Sequence, residues 1–427
     1  MKITVIGQNL SGITTAACFA EIGNNVILSS LKQKDVDRSI YTHPCMQDPG
    51  LQKVFKKQIE DGRLTLNPQV EVGKHATNLY VVTAIDDCDD ALGKLLDDLS
   101  SDVNCTGVLF TCSLPVGCLD KAVNDDHIAV AYIPEFMREG SVLQDFRNPA
   151  SLIIGCDDEN LISLIEELYS PFIKTDTRVQ HMQVKEAEFA RFAVSTMLAT
   201  RVSYMNELAN ISELLDIDIE VIQKALGSDP RIGDQYLSPG IGFGGRQLAE
   251  DLVLINEFDK AKPDNAGLLD AVIKINERQK ESLFRKVWRY FNGDLHGKTL
   301  AIWGGAFKPN SSRIDNSPIL KLIEAFCYQG VILNIYDPGC FEELNDYVKQ
   351  SPYAGSVGLC HNPYQALDGA EALLLVTEWR EFWIPDYDEI KVRLKKPLIF
   401  DGRNIYNPEL LKQRGFEYYG IGRGDRV

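Results

Sequence analysis

The chain opens on a short apolar run that ends in glycine, ITVIG, and passes at once through QNLSG into a segment of helical character. The same rhythm returns in NVILSS, NLYVVTA, GVLFTC and AVAYIP, with stretches between them that can hold crossover helices. Parallel strands need such crossovers, and the helices then cover both sheet faces, so the strands read as continuous apolar runs. The first part of the chain is therefore predicted as a doubly wound α/β domain. From about Val184 to Leu215 the pattern changes to one long helix, with Ala190, Val194, Met197, Met205 and Leu208 at helical spacing on one face. The run TLAIWGGAF then restarts the strand-and-turn rhythm, followed by VILNIYD, ALLLVTE and PLIFDG, which predicts a second α/β domain and a distant architectural twin of the first.

A chain of 427 residues exceeds one ordinary core and implies two or three domains. Its formal net charge of -17 argues against a general nucleic-acid binder, because phosphate neutralisation needs clustered Lys and Arg, so an anionic ligand must find a local basic site. No apolar run approaches the roughly 20 residues that span a bilayer, and the start lacks a basic leader, so no membrane partner and a cytoplasmic location are expected. The ten cysteines are scattered, without a CxxC pair, which reads as reduced thiols. The six histidines are equally dispersed, and no metal site is expected.

GQNLSG sits where a dinucleotide fingerprint must sit to place a pyrophosphate on a helix N-terminus. Gly7 and Gly12 are in place, but Asn9 occupies the middle glycine position, where a side chain obstructs close approach of backbone to pyrophosphate. At the end of the second strand, Ser30 stands where an acidic residue binds the ribose hydroxyls. Two alternatives stay open: Ser30 with Lys32 or Lys34 accepts a 2'-phosphate and the cofactor is NADP, or NAD binding is weak or lost.

Further motifs are SLPVG (113–117), PEFMREGS (134–141), DFRNPASLIIG (145–155), NELANISELLDIDIEVIQKALGSDPRIG (206–233), LSPGIGFGG (237–245), AFKPN (306–310), TEW (377–379) and DGRNIYNPELLKQRGFEYYGIGR (401–423). In this order they resemble the UDP-glucose/GDP-mannose dehydrogenase family, in the form of its bacterial UDP-glucose branch, over essentially the whole chain. The resemblance implies an α/β protein with two Rossmann-like doubly wound domains joined by a central helical dimerisation domain. The expected division is 1–182 for the dinucleotide, 183–290 for dimerisation and 291–427 for the UDP-sugar. It also implies a homodimer, NAD as cofactor and a UDP-hexose such as UDP-glucose as substrate.

Carried over position by position, the resemblance assigns cofactor contacts to Gly7, Asn9, Leu10, Gly12, Ser30, Ser113 and Glu139. It assigns substrate contacts to Phe136, Met137, Ser195, Arg231, Tyr236, Gly242, Phe243, Gly244, Lys308 and Arg403. Read alone, GIGFGG offers bare backbone to a diphosphate or is simply a tight loop, and Arg231, Lys308 and Arg403 as isolated residues are ordinary surface charges.

Oxidising a hexose C6 alcohol to a carboxylate takes two hydride transfers, and the family holds the intermediate aldehyde on a cysteine that follows the glycine loop. Here the segment reads GFGGRQLAED and puts Gln247 at that position; an amide offers no nucleophile. Arg191 replaces a lysine and Ser195 an asparagine, Glu250 reverses another lysine, and Asp315 replaces an arginine near the cofactor. An arginine stabilises an oxyanion but does not exchange a proton in turnover. Asp251, Glu135 and Ser113 remain at catalytic positions. Arg246 and Glu250 lie at i,i+4 spacing, which predicts a plain surface ion pair. Cys112 and Cys118 read as small buried hydrophobes and not as replacement thiols. Three functions follow, in decreasing order of chemical support: a nucleotide-sugar oxidoreductase limited to less than the four-electron reaction, a non-catalytic UDP-sugar-binding pseudoenzyme or regulatory subunit, and full UDP-glucuronate production.

Overall fold

A computed structural model describes residues 1–31, 48–85, 90–123, 128–260 and 267–424. Eight strands form the first sheet: β1 (Lys2–Ile6), β2 (Asn25–Ser29), β3 (Leu64–Leu66), β4 (Leu79–Val82), β5 (Gly107–Phe110), β6 (Ala129–Tyr132), β7 (Ser151–Cys156) and β8 (Arg178–Met182). They lie in the order β3-β2-β1-β4-β5-β6-β7-β8. All neighbours are parallel except β6 and β7, which pair antiparallel through Ala131–Cys156 and Tyr132–Gly155. The sheet is thus mixed rather than wholly parallel as the apolar rhythm predicts.

Six strands form the second sheet: β9 (Thr299–Trp303), β10 (Ile332–Tyr336), β11 (Val357–Cys360), β12 (Leu373–Leu375), β13 (Leu398–Asp401) and β14 (Glu417–Tyr419). Their order is β11-β10-β9-β12-β13-β14, with every pair parallel. Counted within its own half, this repeats the first six positions of the first sheet. The twin predicted from the returning rhythm is present.

Both sheets are buried on two faces. In the first, Val5, Leu28, Val81 and Leu109 pack with Ile13 and Phe19 of the helix Leu10–Glu21, while Ile6, Tyr80, Val82 and Phe110 pack with Leu92 and Leu96 on the other side. In the second, Leu300, Ile302, Leu333 and Phe400 meet Ile319, Leu322 and Phe326, and Trp303, Leu375 and Ile399 meet Phe382 and Ile390. Each such fully buried side chain contributes about 1.5–3 kcal/mol of transfer free energy, which is why continuous apolar runs mark the interior strands.

The chain divides into two compact units, Met1–Ala193 and Val194–Val427, and the division falls inside the 32-residue helix Val184–Leu215. The apolar stripe predicted for this helix is not uniformly covered in the single chain. Met205 is fully buried against the second unit's core with Leu208 packed beside it, whereas Met197 is 61% exposed. Exposed apolar residues instead recur at Met197, Tyr204, Ile211 and Leu215, spacings of seven, seven and four that keep one line along a helix. Among the described residues no helix is long and apolar enough to cross a membrane.

Candidate nucleotide-sugar site and the cofactor turn

The first glycine turn stands at the C-terminal end of β1, where strand order reverses between β2 and β4 and doubly wound sheets open a ligand crevice. Gly7 takes φ +133°, and a Cβ there would lie 2.2 Å from Thr83 Oγ1. A Cβ on Gly12 would lie 1.9 Å from the Gly7 carbonyl oxygen, so the strand and the helix meet at this pair. Asn9 is the N-cap of the helix, with φ -86°, so its position makes no demand for a left-handed backbone. Its Oδ1 accepts from Gly12 N at 2.9 Å and its Nδ2 donates to the Thr83 carbonyl at 2.8 Å. Leu10 is the first helical residue. Ser30, buried one residue past β2, accepts from Val70 N through its carbonyl at 2.9 Å. Lys32 and Lys34 lie outside the described residues.

Around the loop that follows β6 the first unit gathers Glu135, Ser11 and Arg191. Burial pushes the Glu135 carboxyl up to about 7, against the lowering effects of the Ser11 hydroxyl and the Arg191 guanidinium. Phe136 packs against the core on one face of the sheet and Met137 against the core on the other. Glu139 is partly buried in the same loop. Ser113 is exposed at the head of its loop, which ends at Gly117 with φ +76°. A residue that sequence reasoning missed holds this loop: Glu188, fully buried on the long helix, accepts from Gly117 N at 2.5 Å and Leu119 N at 3.1 Å. Burial raises its carboxyl pKa against these two donors. Nothing in the local sequence marks Glu188, because its partners lie about seventy residues earlier.

In the second unit the glycine loop is pinned by side-chain amides. Asn206 Oδ1 accepts from Gly240 N at 2.8 Å and Gln279 Nε2 donates to the Gly240 carbonyl at 2.7 Å. Asn276 both accepts from Phe243 N at 2.9 Å and donates to the Phe243 carbonyl at 3.1 Å. Asn316 donates to the Gly245 carbonyl at 3.2 Å. Gly242 turns with φ +87°, and a Cβ on Gly244 would come within 2.8 Å of the Asn316 carbonyl oxygen. Asn206 opens the 206–233 motif, whereas Asn276, Gln279 and Asn316 carry no signal in the sequence.

Arg403 reaches this loop, its Nε donating to the Val376 carbonyl at 2.7 Å and its Nη1 3.4 Å from the Gly242 carbonyl. Its Nη2 is buried without a hydrogen-bond partner among the described residues. Lys308 lies 5.3 Å from the Phe307 ring, and that ring packs against Gly245. Gly242, Phe243, Gly244, Lys308 and Arg403 are thereby brought together. Ser195 Oγ donates to Asp251 Oδ2 at 2.7 Å, and both residues are buried.

Comparison with known proteins decides the ancestry. The NAD binding domain of the UDP-glucose/GDP-mannose dehydrogenase family matches residues 1–86 and 106–173, its central domain 185–278 and its UDP binding domain 301–408. The chain is 33% identical to UDP-glucose 6-dehydrogenase of Pseudomonas aeruginosa, over 99% of this chain and 98% of that protein. It is 30% identical to UDP-glucose 6-dehydrogenase TuaD of Bacillus subtilis, over 99% and 93%. The chain belongs to the UDP-glucose/GDP-mannose dehydrogenase family. The fold agrees with a UDP-glucose dehydrogenase from Pyrobaculum islandicum, TM-score 0.84 at 24% identity, over 99% of this chain and 97% of that one. It agrees likewise with a UDP-D-ManNAc dehydrogenase from Pyrococcus horikoshii, TM-score 0.81 at 24% identity, each chain covered completely.

In this family member Gln247 is the first residue of the helix Gln247–Lys260, and it is exposed. Arg246 Nε meets Glu250 Oε1 at 2.8 Å with both side chains exposed, the surface pair that their spacing predicts. Asp315 is paired as well, accepting from Arg313 Nε at 2.6 Å. Arg231 does not join the glycine loop; it bonds Asp229 at 2.6 and 3.0 Å with 87% of its side chain exposed. Tyr236, at φ +59°, belongs to the same stretch. Cys112 and Cys118 are buried, as their reading as small hydrophobes requires.

The family's NAD binding domain is present, and the Gly7–Gly12 packing suits a dinucleotide. The pyrophosphate contact is narrowed, because the Asn9 carboxamide takes the Gly12 N–H, one of the donors that a helix N-terminus offers an anion. At the ribose position Ser30 brings a hydroxyl in place of the carboxylate.

Proposed function

We propose that this family member binds a UDP-hexose and does not carry out the thiol-dependent four-electron oxidation. The observation that carries this reading is the exposed Gln247 carboxamide at the helix start directly after the glycine loop, where the reaction needs a thiolate. The glycine loop, Lys308 and the orphaned Nη2 of Arg403 support retention of the nucleotide-sugar, since a guanidinium fork suits a diphosphate or uracil carbonyl. Asp251, within the helix that follows the glycine loop, is a buried acceptor bonded by Ser195, and Glu135, with its raised pKa, is placed to exchange a proton near neutral pH.

A second reading, a pseudoenzyme without dinucleotide chemistry, is favoured by one specific observation, the capping of Gly12 N by Asn9. Both readings take in a homodimer through the exposed Met197–Leu215 line and its neighbours in 183–290, and a cytoplasmic protein with no nucleic-acid or membrane partner.

Purified protein mixed with UDP-glucose and NAD or NADP tests this directly through absorbance of the reduced dinucleotide and analysis of sugar products. Two reduced dinucleotides per sugar overturn the reading. One supports a truncated oxidation and removes the pseudoenzyme, whereas calorimetric binding of UDP-glucose with no dinucleotide binding or reduction supports the pseudoenzyme. Absence of UDP-glucose binding overturns both. Gln247→Cys alone is expected not to restore the four-electron reaction.

A further inference from the structure

Away from the glycine loop, the second unit contains a cavity of about 690 Å³ between the end of the long helix, the helices around 278–289 and the last strand's exit at 422–424. Its size falls within the roughly 300–1,000 Å³ of small-molecule sites. Five cations line it, Arg278, Arg285, Lys286, Arg289 and Arg423, in a chain whose net charge is -17. Three acids share the wall, Glu213, Asp216 and Asp218.

Two of the acids are paired within the wall itself, where they occupy Lys286 and Arg423, and Arg423 also meets Glu220 at 3.0 Å. Glu213 Oε1 accepts from Lys286 Nζ at 2.6 Å and from Gly422 N at 2.8 Å. Asp218 caps the helix Ile219–Ser228, accepting from Glu220 N at 2.9 Å, and lies 3.6 Å from Arg423. Arg278 is held by Glu207 at 2.8 Å. Arg285 and Arg289 are left with much less: Arg285 reaches Glu281 only at 3.8 Å, and Arg289 has no ion-pair partner among the described residues.

Two further observations point into the space. The Ser282 hydroxyl lines the cavity, is 5% exposed and has no hydrogen-bond partner among the described residues, although a buried hydroxyl ordinarily finds one. Arg423 Nε is buried and unpartnered in the same way. The Arg285 guanidinium is disfavoured by burial and, beyond the compensating pull of Glu281, by the charges of Arg278 and Arg289, a crowding that an anion relieves.

We propose that this cavity binds a small molecule carrying at least two phosphates, with Arg285 and Arg289 as the guanidinium forks and Ser282 as a buried hydroxyl donor. The two forks stand one helical turn apart, roughly 5–6 Å between their Cβ atoms, so they address separate phosphates, and each suits bidentate phosphate contact. The cavity shares no lining residue with the glycine loop, Lys308 or Arg403, and it makes the protein responsive to a second phosphorylated ligand.

Calorimetric titration of the full chain with inorganic pyrophosphate, at about 50 mM and about 200 mM salt, tests it. Saturation below about 1 mM at low salt and clear weakening at high salt are expected. Arg289→Ala, an exposed change that leaves the near-UV dichroism intact, weakens binding about tenfold or more, and Ser282→Ala weakens it by a smaller factor. Lys308→Ala and saturating UDP-glucose leave it unchanged. Absence of binding at about 10 mM pyrophosphate, equal binding by Arg289→Ala and wild type, or loss of binding in Lys308→Ala or under UDP-glucose each overturns the proposal; the last two assign pyrophosphate to the glycine loop.

Discussion

At the end of β1, Gly7 turns with φ +133° against Thr83; at the end of β9, Gly304 turns with φ +99° against Thr377, whose backbone nitrogen would sit 2.4 Å from an added Cβ. The two turns occupy the same place in two sheets of the same strand order, and they are completed differently. One residue past β10 stands Asp337, a buried carboxylate where the first unit has Ser30. Its Oδ2 accepts from Gly305 N at 2.7 Å, Ala306 N at 3.0 Å and Trp379 Nε1 at 2.9 Å, and its Oδ1 from Gly339 N at 2.7 Å and Cys340 N at 2.9 Å. In the first unit the corresponding organiser is neutral and comes from inside the loop, the Asn9 carboxamide bridging Gly12 and Thr83. The same backbone frame is thus fixed by a charge spent on the protein's own N–H groups in one case and by an amide cap in the other. Neither turn leaves its organising group for a ribose.

The comparison is broken most forcefully at Asp337. Asp337→Ala strands five donors, several of them buried, and at about 1–3 kcal/mol per buried unsatisfied group a loss of at least 3–5 kcal/mol is expected, read as a lower urea midpoint for the second unit. Gly7→Ala and Gly304→Ala test whether the turns are equally strict; each combines a left-handed φ with a steric overlap, and a loss of about 2–4 kcal/mol is expected for both. Unequal losses would show that one turn relaxes.

Glu135, beside the first turn, gives that turn a pH signature of its own. The folded carboxyl holds its proton up to about 7 while the unfolded one releases it near 4.5, so the folded state binds more protons between these values and stability falls as pH rises through that window. The fall is on the order of 3 kcal/mol as an upper bound, and Glu135→Gln is expected to flatten it in denaturant titrations at pH 5 and 8. The smallest stability change belongs to Asn9→Gly, a few tenths of a kcal/mol for exchanging one competent cap for another. Its functional effect is larger: with Gly12 N released, dinucleotide affinity by calorimetry is expected to rise about tenfold.

Much of this architecture was legible because interior strands advertise themselves. ITVIG, NVILSS, NLYVVTA, GVLFTC and AVAYIP coincide with β1, β2, β4, β5 and β6, and TLAIW, VILNIYD, ALLLVTE and PLIFDG with β9, β10, β12 and β13. The edge strands β3, β8, β11 and β14 gave no such signal, since an edge is covered incompletely; β8 is RVQHM with no fully buried residue. Of the candidate site, the glycines and Asn9 were readable from the spacing of a fingerprint placed directly after the first strand, and the Arg246–Glu250 pair because its partners are local. Glu188, Asn276 and Gln279 were not, because each acts on backbone far along the chain and carries no pattern of its own. Asp337 alone left a trace, as the acidic end of VILNIYD in a domain built like the first.

The amides around Gly240–Gly245 carry one last consequence. Asn276 and Gln279 do not titrate and carry no net charge, so the outline of that loop is indifferent to acidity and ionic strength while the carboxylates and guanidinium groups around it are not. Its vulnerability is a single change of charge: Asn276→Asp would erase the donor to Phe243 and set a negative charge against that carbonyl.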